Sequence, residues 1–138
     1  MESRIDCSRG ITLIELLIVL VIVAILTAIA IPRYTQVRDR ARLSAAESEL
    51  YQAMRGLWLY QTENDSLHYP ETAMITNHDQ LRRVVHDYIG LIPNASNSNF
   101  VFVSYAADDT SFTIVARAKD SNRTTLTGGI DGIHRSVP

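Results

Sequence analysis

ITLIELLIVLVIVAILTAIAI, residues 11–31, decides how the rest of the chain is read. It carries a single charge, Glu15. As a helix rising 1.5 Å per residue it is about 31 Å long, matching a hydrocarbon core of about 30 Å. It is apolar on every side, and a helix buried in one small domain needs only one apolar face. The segment therefore meets lipid, other copies of itself, or a signal peptidase.

The remaining composition bounds the answer. The chain has 138 residues, enough for one small domain plus an anchor. Hydrophobic residues are 46% and charged residues 20%, which excludes a disordered chain. Thirteen Lys and Arg against fifteen Asp and Glu leave a net charge of −2, so no strongly basic nucleic-acid surface is announced. All the basic residues except Lys119 are Arg. The one cysteine, Cys7, cannot form an internal disulfide and excludes a cysteine zinc site.

Three readings compete for the apolar run. As a secretory signal, it offers Ala28-Ile29-Ala30 as an A-x-A cleavage site, but Pro32 follows closely and Glu15 interrupts the run. As a plain single-span anchor, it leaves Glu15 unexplained. A carboxylate at the centre of a membrane helix costs about 2.5–3.5 kcal/mol on insertion scales, less near an interface.

The third reading accounts for both the short front end and the carboxylate. Arg9-Gly10-Ile11-Thr12-Leu13-Ile14-Glu15-Leu16 resembles the processing site of type IV prepilins and pseudopilins. The resemblance implies cleavage after Gly10 by a prepilin peptidase, leaving the apolar run in the mature protein with a methylated Ile11 at its start. Glu15 then becomes the fifth mature residue. Pro32 falls where the family carries a helix-kinking proline. The family more often has Phe where Ile11 stands, and its leader is usually basic, whereas here Glu2 and Asp6 offset Arg4 and Arg9. Arg33, Arg38, Arg40 and Arg42 follow the span, so the positive-inside rule alone places the C-terminal part in the cytoplasm. The resemblance implies the opposite orientation, and the processing motif is the more specific of the two signals.

Past Pro32 the chain still reads as helix to about residue 63. No proline and only Gly56 interrupt residues 33–63, where good helix formers dominate. Leu43, Ala46, Leu50, Ala53, Leu57 and Tyr60 form one apolar stripe; Arg42, Glu49 and Gln52 lie off it. Asn64-Asp65-Ser66 supplies a helix stop. The expected organisation is a leader over 1–10, a membrane or filament-core helix over 11–31, an amphipathic half of the same helix over 32–63, and a globular α+β head over 64–138.

Within the head, Asn77 and Gln80 read as an N-cap and capping box. Leu81, Val84, Val85, Tyr88 and Ile89 form a helical stripe that Gly90 closes. Residues 100–105 read as a strand and 106–110 as a turn. Residues 111–119 read as a second strand with Phe112, Ile114, Ala116 and Ala118 on one face; residues 123–127 make a short third. Gly128, Gly129 and Gly132 predict a loop-like tail. So small a sheet needs a partner surface, which the stripe of residues 43–60 provides. The expected fold class is α+β, a long N-terminal helix packed on a small antiparallel three-stranded sheet. That matches the lollipop-like stalk-and-head plan the resemblance implies. The stretch from Tyr60 to Tyr69-Pro70 is loosely similar to the helix end of major pseudopilins.

Catalytic chemistry is sparse. His78-Asp79 and His86-Asp87 point about 80° apart on a helix, with no third metal ligand evident. Ser, His and Asp form no triad pattern. Asp120, Asn122, Thr124 and Asp131 have an EF-hand-like spacing, but Thr125 stands where the loop needs Gly. Some major pseudopilins bind calcium in a late acidic loop; surface turn residues are the default reading, and no cofactor is expected. Arg82-Arg83 reads as a solvated helix face before it reads as a contact to DNA.

No enzyme activity is expected. The resemblance implies a structural subunit of a bacterial type IV filament. Its partners are further copies of itself, the inner membrane before assembly, the prepilin peptidase and the inner-membrane assembly platform. Its location is the inner membrane as precursor and an extracellular or periplasmic filament afterwards. Glu15 of one subunit would meet the N-terminal amine of its neighbour, and Ala24 and Ala28 would let helices approach. A secretion pseudopilin is the alternative within the class; the resemblance implies that a chain without cysteine after Cys7 is either a pseudopilin or a pilin that relies on packing and calcium in place of a disulfide. A membrane-anchored or secreted binding module without a filament is the alternative outside it.

Overall fold

The computed structural model describes residues 11–63, 68–89 and 92–137. Helix α1 runs over Leu13–Glu63 and contains Pro32. Contacts divide the chain after Val37, so α1 contributes to two units. In the first unit, residues 11–37 are all exposed. Pro32 has no N–H, so the carbonyl of Ala28 loses its helical donor there. The Thr35 hydroxyl donates to the Pro32 carbonyl at 2.9 Å and the Thr27 hydroxyl to that of Val23 at 2.7 Å.

The second unit begins at Arg38. It holds the rest of α1, a 3-10 turn Thr72–Met74, helix α2 His78–Ile89, and strands β1 Phe100–Ala107, β2 Phe112–Ala118, β3 Thr125–Gly129 and β4 Gly132–Ser136. The strands form one antiparallel sheet in the order β1-β2-β3-β4. The apolar stripe on α1 does what its spacing predicts: Ala46, Leu50, Ala53 and Leu57 are fully buried, and Leu43 packs against the core. Met54, one residue off the stripe, is buried with them. Opposite lie Phe112, Ile114, Ala116 and Ala118, every second residue of β2, all buried as alternation requires. Leu126 of β3 and Phe100 of β1 complete that face.

The sheet has four strands where the sequence predicts three. The tail expected to be loop-like turns across Ile130 and Asp131, and Gly132 then takes φ 111°, a conformation that glycine adopts without strain. The return strand β4 pairs with β3 from Gly129–Gly132 to Thr125–Ser136. Glycines read as loop punctuation are here the corner of a hairpin. Gly128 is also a packing position, since a Cβ there would sit 2.7 Å from the Met54 sulfur.

Strand β1 runs two residues past its expected end, because Ala106 and Ala107 pair with Thr113 and Phe112, and a bulge shifts its register between Phe102 and Ser104. The extra residue changes the inward phase, so Phe100 and Tyr105 both reach the core. The Tyr105 hydroxyl donates to the Pro70 carbonyl at 2.9 Å, and burial pushes its pKa up. This contact fixes the segment that follows α1. Tyr69 stacks edge-on to Phe112 at 4.8 Å between ring centroids.

Helix α2 starts as expected. Asn77 caps it, its Oδ1 accepting the Gln80 N–H at 2.9 Å. The Gln80 side chain reaches back to the N–H and hydroxyl of Thr76, both at 2.7 Å, one residue earlier than a strict capping box. Leu81 and Val85 are buried. The cap expected at Gly90 and the helix stop at 64–66 lie outside the described residues.

Polar clamps join α1 to the rest of this unit. The Glu49 carboxylate accepts from the Ser98 hydroxyl at 2.7 Å, the Asn99 N–H at 3.0 Å and the Asn99 side-chain amide at 2.5 Å. Glu47 pairs with Arg135 of β4, one of its two bonds being 2.7 Å. Replacing Glu49 by Ala strands these donors. We expect Glu49→Ala to cost about 2–3 kcal/mol, read as a lowered thermal midpoint of the detergent-solubilised chain. Glu49→Gln, which keeps an acceptor, should lose less.

Candidate assembly site on the N-terminal helix

Thr12 begins the site. Its Oγ1 accepts the Glu15 N–H at 3.2 Å, and its carbonyl accepts the Leu16 N–H at 3.2 Å. Thr12 is thus the N-cap of α1 and Glu15 stands three residues on, in the first turn. Thr12-Leu13-Ile14-Glu15 has the S/T-x-x-E spacing of a helix start, a signal readable in the sequence but overshadowed by the apolar run. A carboxylate in the first turn also interacts favourably with the partial positive charge of the helix N-terminus, typically by about 0.3–1 kcal/mol. Glu15 therefore has a local reason to stand here besides any intermolecular one. Among the described residues, no cation lies within ion-pair distance of it.

Ile11 lies just ahead of the cap and is 78% exposed. Beyond Glu15, none of the most apolar window of α1 is buried. Leu16, Leu17, Ile18 and Val19, which follow one another in 100° steps around the helix, are all more than half exposed. Ala24 and Ala28 are exposed as well. An apolar surface this continuous is not left in water. The site is therefore a capped helix end beside a charge, followed by a continuous exposed apolar surface. Of the residues singled out in the sequence, Ile11, Glu15 and Pro32 belong to this segment; Gly10 lies outside the described residues.

The other candidates are not part of it. His78 is buried at the start of α2, its Nε2 2.9 Å from the Pro93 carbonyl and its ring against Phe100. His86 is exposed beside Asp87. Asp120, first of the calcium-like series, is buried and uses both oxygens on Thr124: on its N–H at 2.8 Å and its hydroxyl at 2.6 Å. It closes the β2–β3 turn. Arg82 donates to the Ile92 carbonyl at 3.1 Å and so holds its own loop. Among the described residues, no three His, Cys, Asp or Glu side chains converge on a metal site.

The chain thus carries an unburied apolar helix with a capped, acid-bearing start, and a small α+β unit. Comparisons with known proteins give the class. Residues 6–31 match the model of the prokaryotic N-terminal methylation motif. The chain is 34% identical over 101 residues to the type IV wide pilus major component PilA4 of Thermus thermophilus, covering 73% of this chain and 68% of that protein. No solved structure matches the chain. The chain belongs to the type IV pilin family. It is accordingly a structural subunit and not an enzyme.

The cap is open to test. Thr12→Ala should cost the first turn of α1 about 1 kcal/mol. Faster hydrogen exchange at residues 13–16 in detergent would report it, with Thr12→Ser exchanging as slowly as the unaltered chain.

Proposed function

We propose that this pilin is a building subunit of a type IV pilus, processed after Gly10 and polymerised through residues 11–31. The observation that carries the reading is the exposure of every residue of that segment, with one acid at its capped end. The similarity to a wide-pilus major component favours a pilus over a secretion pseudopilin.

Processing does two things at once. It removes the charged leader, and it creates an amine on Ile11, four residues before Glu15. Before assembly the apolar segment resides in the inner membrane, where the prepilin peptidase and the assembly platform meet it. In the filament, segments from neighbouring subunits cover one another. Each ion is costly in apolar surroundings, and pairing the Glu15 carboxylate of one subunit with the Ile11 amine of the next removes most of that cost. The pair sets register, because a subunit docks without penalty only where its carboxylate finds an amine. The head is presented on the periplasmic or extracellular filament surface.

Two measurements test this. Mass spectrometry of the mature protein should find Ile11 at the N-terminus, carrying a methyl group. A start at Ile31 would mean a secretory signal, and Met1 a plain anchor. Glu15→Ala should remain folded and membrane-inserted yet assemble poorly, because a stranded buried amine costs about 3–5 kcal/mol. Normal filaments from that variant would refute the register role.

A further inference from the structure

Charge is segregated along the second unit. Helix α1 gives the direction. Near its entry to this unit, Asp39 accepts from the Ser121 N–H at 3.3 Å and Arg42 donates to the Lys119 carbonyl at 3.3 Å. Further on, Trp58 packs against Phe112 at the start of β2, and beyond the helix His68 lies 3.7 Å from Asp109. The β2–β3 turn therefore marks one end of the unit and the β1–β2 turn the other.

The first end is basic. A cleft of about 460 Å³ opens there, lined by Val101, Arg117, Ala118, Lys119, Asp120 and Arg123. Arg117 and Arg123 are exposed, and Lys119 donates to the Ala95 carbonyl at 3.3 Å. Among the described residues, acids near this end are engaged: Asp120 with Thr124, Asp39 with Ser121, and Glu49 with Ser98 and Asn99. Arg38 and Arg40 stand exposed on α1 beside them. Arg123 is also held at φ 52°, the left-handed region that side chains other than glycine rarely adopt. The opposite end is acidic. Asp109 is 87% exposed at the tip of the β1–β2 turn, with Asp108 beside it and Glu71 and Asp131 exposed nearby. Asp108 accepts the N–H groups of Thr110 and Ser111 at 3.0 and 2.7 Å, which shapes the turn and holds its carboxyl below the ordinary range.

We infer that the acidic β1–β2 turn of one copy seats in the Arg117–Lys119–Arg123 cleft of the next, so that heads join end to end. The occupant is a second copy of this chain because the complementary surface is its own opposite end. A head-to-tail contact between unlike patches leaves one patch of each kind free for a further copy, and it propagates a helical filament where its rotation does not close a ring. It also steers an incoming subunit into one orientation before the apolar segments engage. This inference rests on the pilus reading and adds to it a second, polar contact at the level of the heads.

The test uses full-length subunits in filaments sheared from cells. The mature chain as proposed has no cysteine, so Asp109→Cys together with Arg123→Cys reports on this contact alone. Oxidation should give a ladder of covalent multimers, whereas Arg123→Cys with His86→Cys should give none. In parallel, Arg123→Asp should lose most pelletable filament, and Asp109→Arg added to it should restore the yield. The loss should be smaller at high salt, where screening shortens from about 10 Å at 0.1 M to about 3 Å at 1 M. Filaments without the ladder, or reversal without rescue, overturn the inference and leave the pilus reading standing. Absence of filaments from the unaltered chain overturns both. If the cleft substitutions abolish binding to phosphatidylglycerol vesicles but leave filaments and ladder intact, the cleft serves lipid headgroups and the inference is overturned.

Discussion

Every other feature of this protein depends on one unmet demand: the apolar surface of residues 11–31 is exposed along its whole length. Leu13, Leu20 and Leu26 are each at least 61% exposed. Hydrophobic burial is non-directional, so grease alone would let such helices slide past one another. In the proposed filament, the polar groups at the capped end are what would supply the direction that grease lacks. A charge in apolar surroundings is tolerated in few places, and a surface with few tolerated places has a register.

The second unit solves a different problem. A four-stranded sheet of short strands has little core of its own. Here the sheet borrows one face of α1, and Leu50, Met54 and Leu57 close over Phe112, Ile114 and Leu126. The same helix therefore serves two solvents, apolar all round before Pro32 and striped after it. Outside the stripe, Glu47 and Glu49 hold it to residues far along the chain. One face of the helix is fixed by packing and the two edges of that face by charge-assisted hydrogen bonds.

What the sequence disclosed, and what it withheld, follows from the range of the interactions involved. Periodicity is local, so the α1 stripe, the alternating face of β2 and the Asn77 cap could all be read directly. The apolar run, Gly10, Glu15 and Pro32 agree in spacing, which made the class legible in the first 32 residues. The fourth strand was missed because Gly128, Gly129 and Gly132 signal a turn equally well in a loop or a hairpin; pairing with β3 decides it. The bulge in β1 has no marker, and without it Tyr105 would point away from the core. Glu49 read only as a position off the stripe because its partners, Ser98 and Asn99, lie about fifty residues on. Thr12 was legible but masked by the larger signal beside it.

The clamp between Glu47 and Arg135 spans 88 residues. It joins the helix to the strand made last, β4, which itself zips onto β3. Contacts so distant along the chain form late, because the loop between them must close first. During synthesis the greasy helix is complete long before the ribosome reaches Arg135, so its striped half waits, half dressed, for a sheet that does not yet exist. In the interval, Leu50, Met54 and Leu57 are as bare as the segment ahead of Pro32, and a newborn chain is two sticky surfaces rather than one. A chaperone or a membrane that shelters only the first of them leaves the second to find its own sheet before it finds a stranger's.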